Sequence, residues 1–165
     1  MRALAIVLLV GWVGGVVADQ ASVEVDKTLQ RVHGTAIMTS DLRQVRLLRL
    51  VPEFAQDDLA VQTVLENRLL MLREVSRAAQ PEPSAEAIAD KRQAWRSAWP
   101  AGTDVPALMT RAGMNDRGLD AWFRDELRIG SYVDQRFGQA TDATRTPRVA
   151  DWIRSLRRQA NLTVK

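Results

Sequence analysis

The run Val61-Gln62-Thr63-Val64-Leu65-Glu66-Asn67-Arg68-Leu69-Leu70-Met71-Leu72-Arg73-Glu74-Val75 decides the fold. Val61, Val64, Leu65, Leu69, Leu72 and Val75 recur at steps of three and four, and Leu70 and Met71 widen the stripe. That is the period of a helix burying one broad face. The pattern predicts a helix from about Gln56 to Ala79, stopped by Pro81-Glu82-Pro83. A stripe of this length needs other helices packed around it.

Upstream, a shorter helix is expected from about Asp41 to Val51, ended by Pro52. Ser40 is placed as its cap and Asp41 in its first turn, where a carboxylate favours the helix dipole. Before it, Val23 to Val32 and Thr35 to Thr39 read as two short strands around His33-Gly34. Glycine supplies the positive φ of a tight hairpin turn. His33 is therefore a turn residue.

Downstream, Ser84 caps a helix from about Ala85 to Trp99, with Ile88, Trp95 and Trp99 on one side, and Pro100-Ala101-Gly102 breaks it. A short helix covers Val105 to Ala112, with Gly113 as its left-handed terminus. Asn115 caps a longer one through about Phe137, burying Leu119, Trp122, Phe123, Leu127, Val133 and Phe137. The polar stretch 139–147 reads as a linker. A last helix, about Arg148 to Ala160, carries Val149, Trp152, Ile153 and Leu156, and Leu162 and Val164 alternate as a short strand. The expected fold is mainly α: five to six helices with a small β-sheet formed by an N-terminal hairpin and the C-terminal strand. A third strand makes such a sheet stable where a lone hairpin is marginal.

The first eighteen residues are of another kind. Arg2 precedes an apolar run from Ala3 to Ala18, and Val16-Val17-Ala18 offers small residues where signal peptidase requires them. Residues 1–18 are expected to be a cleaved signal peptide, although retention as an anchor is the alternative. The run is shorter than the roughly 20 residues that span a bilayer. The organisation expected is then a helical domain over 19–138, a linker over 139–147, and 148–165 completing the same domain. The destination in a double-membraned bacterium is the periplasm, with no stable membrane insertion after cleavage.

Composition narrows the function. The 165 residues are 46% hydrophobic and 26% charged, with 23 basic and 20 acidic side chains, no cysteine and one histidine. Disulfides, thiol nucleophiles and Cys-based zinc sites are excluded, and no cofactor or metal is expected. The pI near 9.9 invites a nucleic-acid reading. The arginines are interspersed with acids, as in Arg124-Asp125-Glu126-Leu127-Arg128, so no basic face forms and no nucleic acid is expected as a partner. Paired acids occur at Asp57-Asp58 and Asp125-Glu126, but neighbours on a helix point about 100° apart. No nucleophile, base and orienter come together, so the chain is not expected to be an enzyme.

The ordered pattern resembles a known family. Val25-Asp26-Lys27-Thr28-Leu29, His33-Gly34 and Ile37-Met38-Thr39-Ser40-Asp41-Leu42 look like the opening of SurA-type periplasmic chaperones. Leu65-Glu66-Asn67-Arg68-Leu69-Leu70 is similar to that family's second helix, and Pro83-Ser84-Ala85-Glu86-Ala87-Ile88 to the start of its third. Leu119 to Arg128 is similar to the helix closing the N-terminal region. Trp152 to Ala160 with Leu162-Thr163-Val164 looks like the returning helix and strand. The resemblance covers essentially residues 19–165 as an ordered set of motifs. It implies a peptide-binding chaperone module. The family usually inserts parvulin-type prolyl isomerase domains where this chain has only 139–147, so the resemblance implies no isomerase activity here.

Two functions follow. The first is a periplasmic holdase that binds unfolded or extended polypeptides, such as outer-membrane protein precursors, without ATP or metal. The second is a dedicated envelope assembly adaptor with one specific partner protein. Large adaptable apolar side chains suit a non-specific groove. Trp95, Trp99, Met109, Met114 and Trp122 are the candidate peptide-binding residues. Tryptophans at helical spacing also serve as core, and both roles stay open at this point.

Overall fold

A computed structural model describes residues 26–162. The first strand, β1 (Thr28–Val32), pairs antiparallel with β2 (Thr35–Met38), and a bulge interrupts the register between Thr28 and Gln30. His33 and Gly34 both take positive φ, 49° and 90°, as a two-residue hairpin turn requires. Six helices follow: α1 (Thr39–Leu47), α2 (Asp58–Arg77), α3 (Ala85–Ser97), α4 (Val105–Ala112), α5 (Asp116–Phe137) and α6 (Asp142–Gln159). The fold is mainly helical with a small N-terminal sheet, as expected. The expected signal peptide, the start of the first strand at Val23 and the returning strand's Thr163 and Val164 lie outside the described residues.

Helix α2 is the hub. It packs on the hairpin, α1, α5 and α6, while α3 lies on α5 and α4 on α1. Its stripe behaves as the period demands: Val61, Leu65, Leu70 and Val75 are buried, together with Val32, Ile37, Val45, Tyr132, Trp152 and Leu156 from its neighbours. A second core forms around Ile88, Leu119 and Phe123.

Glu66 belongs to the buried set as well. Its carboxylate accepts from the Arg157 guanidinium at 2.9 Å and from the Gln62 amide at 2.7 Å, and Arg157 also donates to Asn67 Oδ1 at 2.9 Å. Both charged side chains are almost wholly removed from water, so each needs the other. This pair fixes α6 against α2.

Three boundaries differ from expectation. The last helix begins at Asp142, so the expected linker over 139–147 shrinks to the four residues between α5 and α6. The Thr141 carbonyl takes the backbone N–H groups of Thr144 and Arg145, and Arg145 is ion-paired to Asp134 of α5. Those contacts outweigh the missing N–H of Pro147, which sits inside the helix. Helix α1 starts at Thr39 with Met38 as its cap position. Ser40 lies inside, and its N–H and hydroxyl both donate to Asp26. The cap carboxylate thus comes from the strand side, thirteen to fourteen residues back.

Helix α1 also stops earlier than Pro52 implies. Arg49 turns left-handed at φ 51°, and the Leu50 N–H bonds back to the Val45 carbonyl at 2.8 Å. This is the Schellman arrangement. It recurs at Ala79, Gly113 and Asn161, with return bonds from Gln80, Met114 and Leu162.

Candidate functional site

Trp95 stands where three cavities meet. It comes from the last turns of α3, where its position relative to Ile88 turns it toward α5. Its indole N–H donates to the fully buried Leu48 carbonyl at 2.8 Å. Its ring sits edge-on to Trp99 at 5.9 Å and tilted against Phe123 at 6.0 Å. The residue therefore has a fixed orientation and stays partly exposed.

The main groove, of about 510 Å³, runs between the α1–α2 connection, α2, α3 and α5. Its floor is apolar: Val64, Met71, Trp95, Trp122, Phe123 and Ile129. Charges stand at its rim. Lys91 pairs with Glu126 at 2.8 Å, and Arg49 lies over the Trp99 ring at 4.4 Å.

Arg68 closes one wall. Its guanidinium lies 3.8 Å from the Trp122 ring centroid and donates to the Trp122 carbonyl at 2.8 Å, with Asp125 3.5 Å away. On the far side of this stack a further cavity of about 430 Å³ reaches β2, α1 and the α4–α5 connection. Burial pulls the Arg68 guanidinium below its ordinary basicity, against the opposing pull of Asp125 and Glu126. Burial likewise pushes the Asp125 carboxyl up, and Arg68, Arg128 and Arg124 offset part of that rise. The two shifts have one cause: a charge pair held in a partly dry wall.

The five residues singled out in the sequence do not share one groove. Trp95 and Trp122 line the main one. Trp99 lines a neighbouring cavity of about 660 Å³ with Trp95, Val51 and Pro52. Met109 and Met114 line another, of about 450 Å³, to which Trp95 also contributes. All but Trp99 also pack against the second core, so the same side chains are partly structural. Sequence reasoning missed Arg68, Val64, Met71, Phe123 and Ile129 as groove residues. For Arg68 a signal exists: it falls on the apolar stripe of α2, between Leu65 and Leu72, where a solvated arginine does not belong.

The acids have separate partners. Asp57 caps α2 by accepting from the Ala60 N–H, Asp58 pairs with Arg46, Asp125 faces Arg68 and Glu126 faces Lys91. Among the described residues, no three His, Asp or Glu side chains form a group able to hold a metal ion. His33 is exposed at the hairpin tip, and desolvation together with Arg73 and Arg77 holds its imidazole below the ordinary value. No described helix is long and apolar enough to cross a membrane.

These features define a helical module with an aromatic-floored, charge-rimmed groove. No family model matches the chain, and neither a curated protein nor a solved structure does.

Proposed function

We propose that this chain is a periplasmic, ATP-independent holdase that binds extended segments of unfolded exported polypeptides and has no prolyl isomerase activity. The observation that carries the reading is the main groove. An open trough with a floor of tryptophan, phenylalanine, methionine and aliphatic side chains accepts many apolar sequences, because its contacts are broad and weakly directional. The methionine thioether adapts to irregular partners at small cost, and the partly exposed indoles offer broad apolar area. At the rim Lys91 is matched by Glu126, and Arg49 adds attraction for acidic segments without specifying a sequence.

Two features of the sequence support the same reading. The apolar run over residues 3–18 has the form of an export signal. The ordered motifs resemble the peptide-binding module of SurA-type chaperones, and the short α5–α6 connection leaves an isomerase domain no place between those helices.

The test is aggregation of several unrelated unfolded outer-membrane proteins, followed by light scattering with and without the purified chain. Protection of all supports the holdase. Protection of none, with one stable co-purifying protein, replaces it with the dedicated adaptor.

A further inference from the structure

The connection between α1 and α2 carries an exposed aromatic anchor. Phe54 is 74% exposed, the most exposed large apolar side chain among the described residues. The turn beneath it is ordered: the Ala55 N–H bonds to the Pro52 carbonyl at 2.9 Å, and Ala55 itself is buried. A ring presented by a fixed turn loses little freedom on binding, the property of an interface hot spot.

A socket opens beside it. The cavity of about 660 Å³ is walled by Val51, Pro52, Trp95 and Trp99, and both Arg49 and Glu53 stand at its edge. Among the described residues, neither Arg49 nor Glu53 has a side chain of opposite charge within 4.0 Å. The Arg49 guanidinium is held at the lip by the Trp99 ring, 4.4 Å beneath it. An anchor, a socket, a cation and an anion thus lie within six consecutive residues and the α3 terminus. A patch that carries both anchor and socket, and both signs of charge, holds the elements an isologous contact between two copies requires.

We propose that this face joins two copies of the chain into a symmetric dimer. Phe54 of each copy enters the Trp95–Trp99 cavity of the other, and Glu53 of each meets Arg49 of the other. The contact is small and belongs with the weaker protein interfaces. The face shares Arg49 and Trp95 with the main groove, but association is read by mass and client binding by aggregation, so the two are measured separately.

The test is sedimentation equilibrium of the purified protein up to about 100 μM, well above a micromolar dissociation constant. The wild type is expected to be dimeric. Phe54→Ala should weaken the dimer by about tenfold or more, since truncating a central aromatic anchor typically costs at least that factor. Phe54 is exposed, so this variant folds, and circular dichroism checks it. Arg49→Glu and Glu53→Arg should each weaken association, and the two together should restore it. A monomeric wild type, a dimer indifferent to Phe54→Ala, or a double reversal no better than the single ones overturns the proposal. A monomer that still suppresses aggregation would remove the dimer and leave the holdase reading intact.

Discussion

The Arg68 guanidinium stacks on the Trp122 ring at 3.8 Å and donates to the carbonyl of the same residue at 2.8 Å. One side chain of α2 thereby grips both the ring and the backbone of α5. The stack is also the partition between the main groove and the cavity under β2. Stability and groove shape meet at this pair.

Replacing Arg68 by alanine removes the cation–π contact and one hydrogen bond and merges the two cavities. The expected loss is about 2 kcal/mol, since a largely desolvated cation–π contact is worth about that much. Urea unfolding measures it. Asp125 gives the pH side of the same wall. Its carboxyl is pushed up by burial, so the folded protein holds that proton more firmly than the unfolded chain. Its ionisation costs stability as pH rises from the ordinary carboxylate range through the raised value. Asp125→Asn keeps the neutral form, so it should equal or exceed the wild type in stability at neutral pH. That difference should vanish in acid. A variant less stable than wild type at pH 7 and equally impaired at pH 3 contradicts this.

The Glu66–Arg157 pair makes a sharper prediction. Both side chains are buried, so Glu66→Ala removes the carboxylate that meets the Arg157 guanidinium inside the core, and about 3–5 kcal/mol should be lost. Replacing both, Glu66→Leu with Arg157→Met, should recover most of it. Thermal and urea melts of the two variants decide whether the pair is coupled in this way.

Ala79 ends α2 in the left-handed region at φ 48°. A Cβ is strained there, whereas glycine is not. Ala79→Gly should therefore raise stability by about 0.5–1 kcal/mol after allowing for glycine's larger unfolded-state entropy. An unchanged or lower urea midpoint would show that the strain is absent.

Asp26 sets the acid limit of the first helix. Hydrogen bonds from the Ser40 side chain, the Ser40 backbone and the Thr39 side chain hold its carboxyl below the ordinary range. A depressed folded value gives stability that is present above the unfolded value and lost as pH falls through the folded one. The wild type should thus lose α1 and hairpin order as pH drops through and below the ordinary carboxylate range. Asp26→Asn should lack that part of the pH dependence. Amide exchange of Thr39 and Ser40 against pH measures it directly.

Much of the fold was legible because its signals are local. The stripe from Val61 to Val75, the caps Ser84 and Asn115, and Gly113 each act through their own neighbours in sequence. The misplaced boundaries depend on partners distant in sequence. Asp26 caps a helix from the other side of the hairpin, and Arg145 extends α6 through Pro147 by reaching Asp134. Arg49, Ala79 and Asn161 carry no signal of a left-handed terminus comparable to glycine, because tertiary packing imposes it. The groove was half legible. Trp95 and Trp122 stand out by size, but the floor contributed by Val64 and Met71 reads as ordinary core, because the trough exists only once α3 and α5 are in place around it.

The most direct measurement of client binding is site-specific photocrosslinking to an unfolded outer-membrane protein. A photoreactive side chain at Ala94, which lines the main groove, is compared with one at Arg158, exposed on α6 and away from it. The expected result is efficient crosslinking from position 94 to several unrelated clients, and little from position 158. Equal crosslinking from both positions, or none from 94, contradicts a client-binding groove.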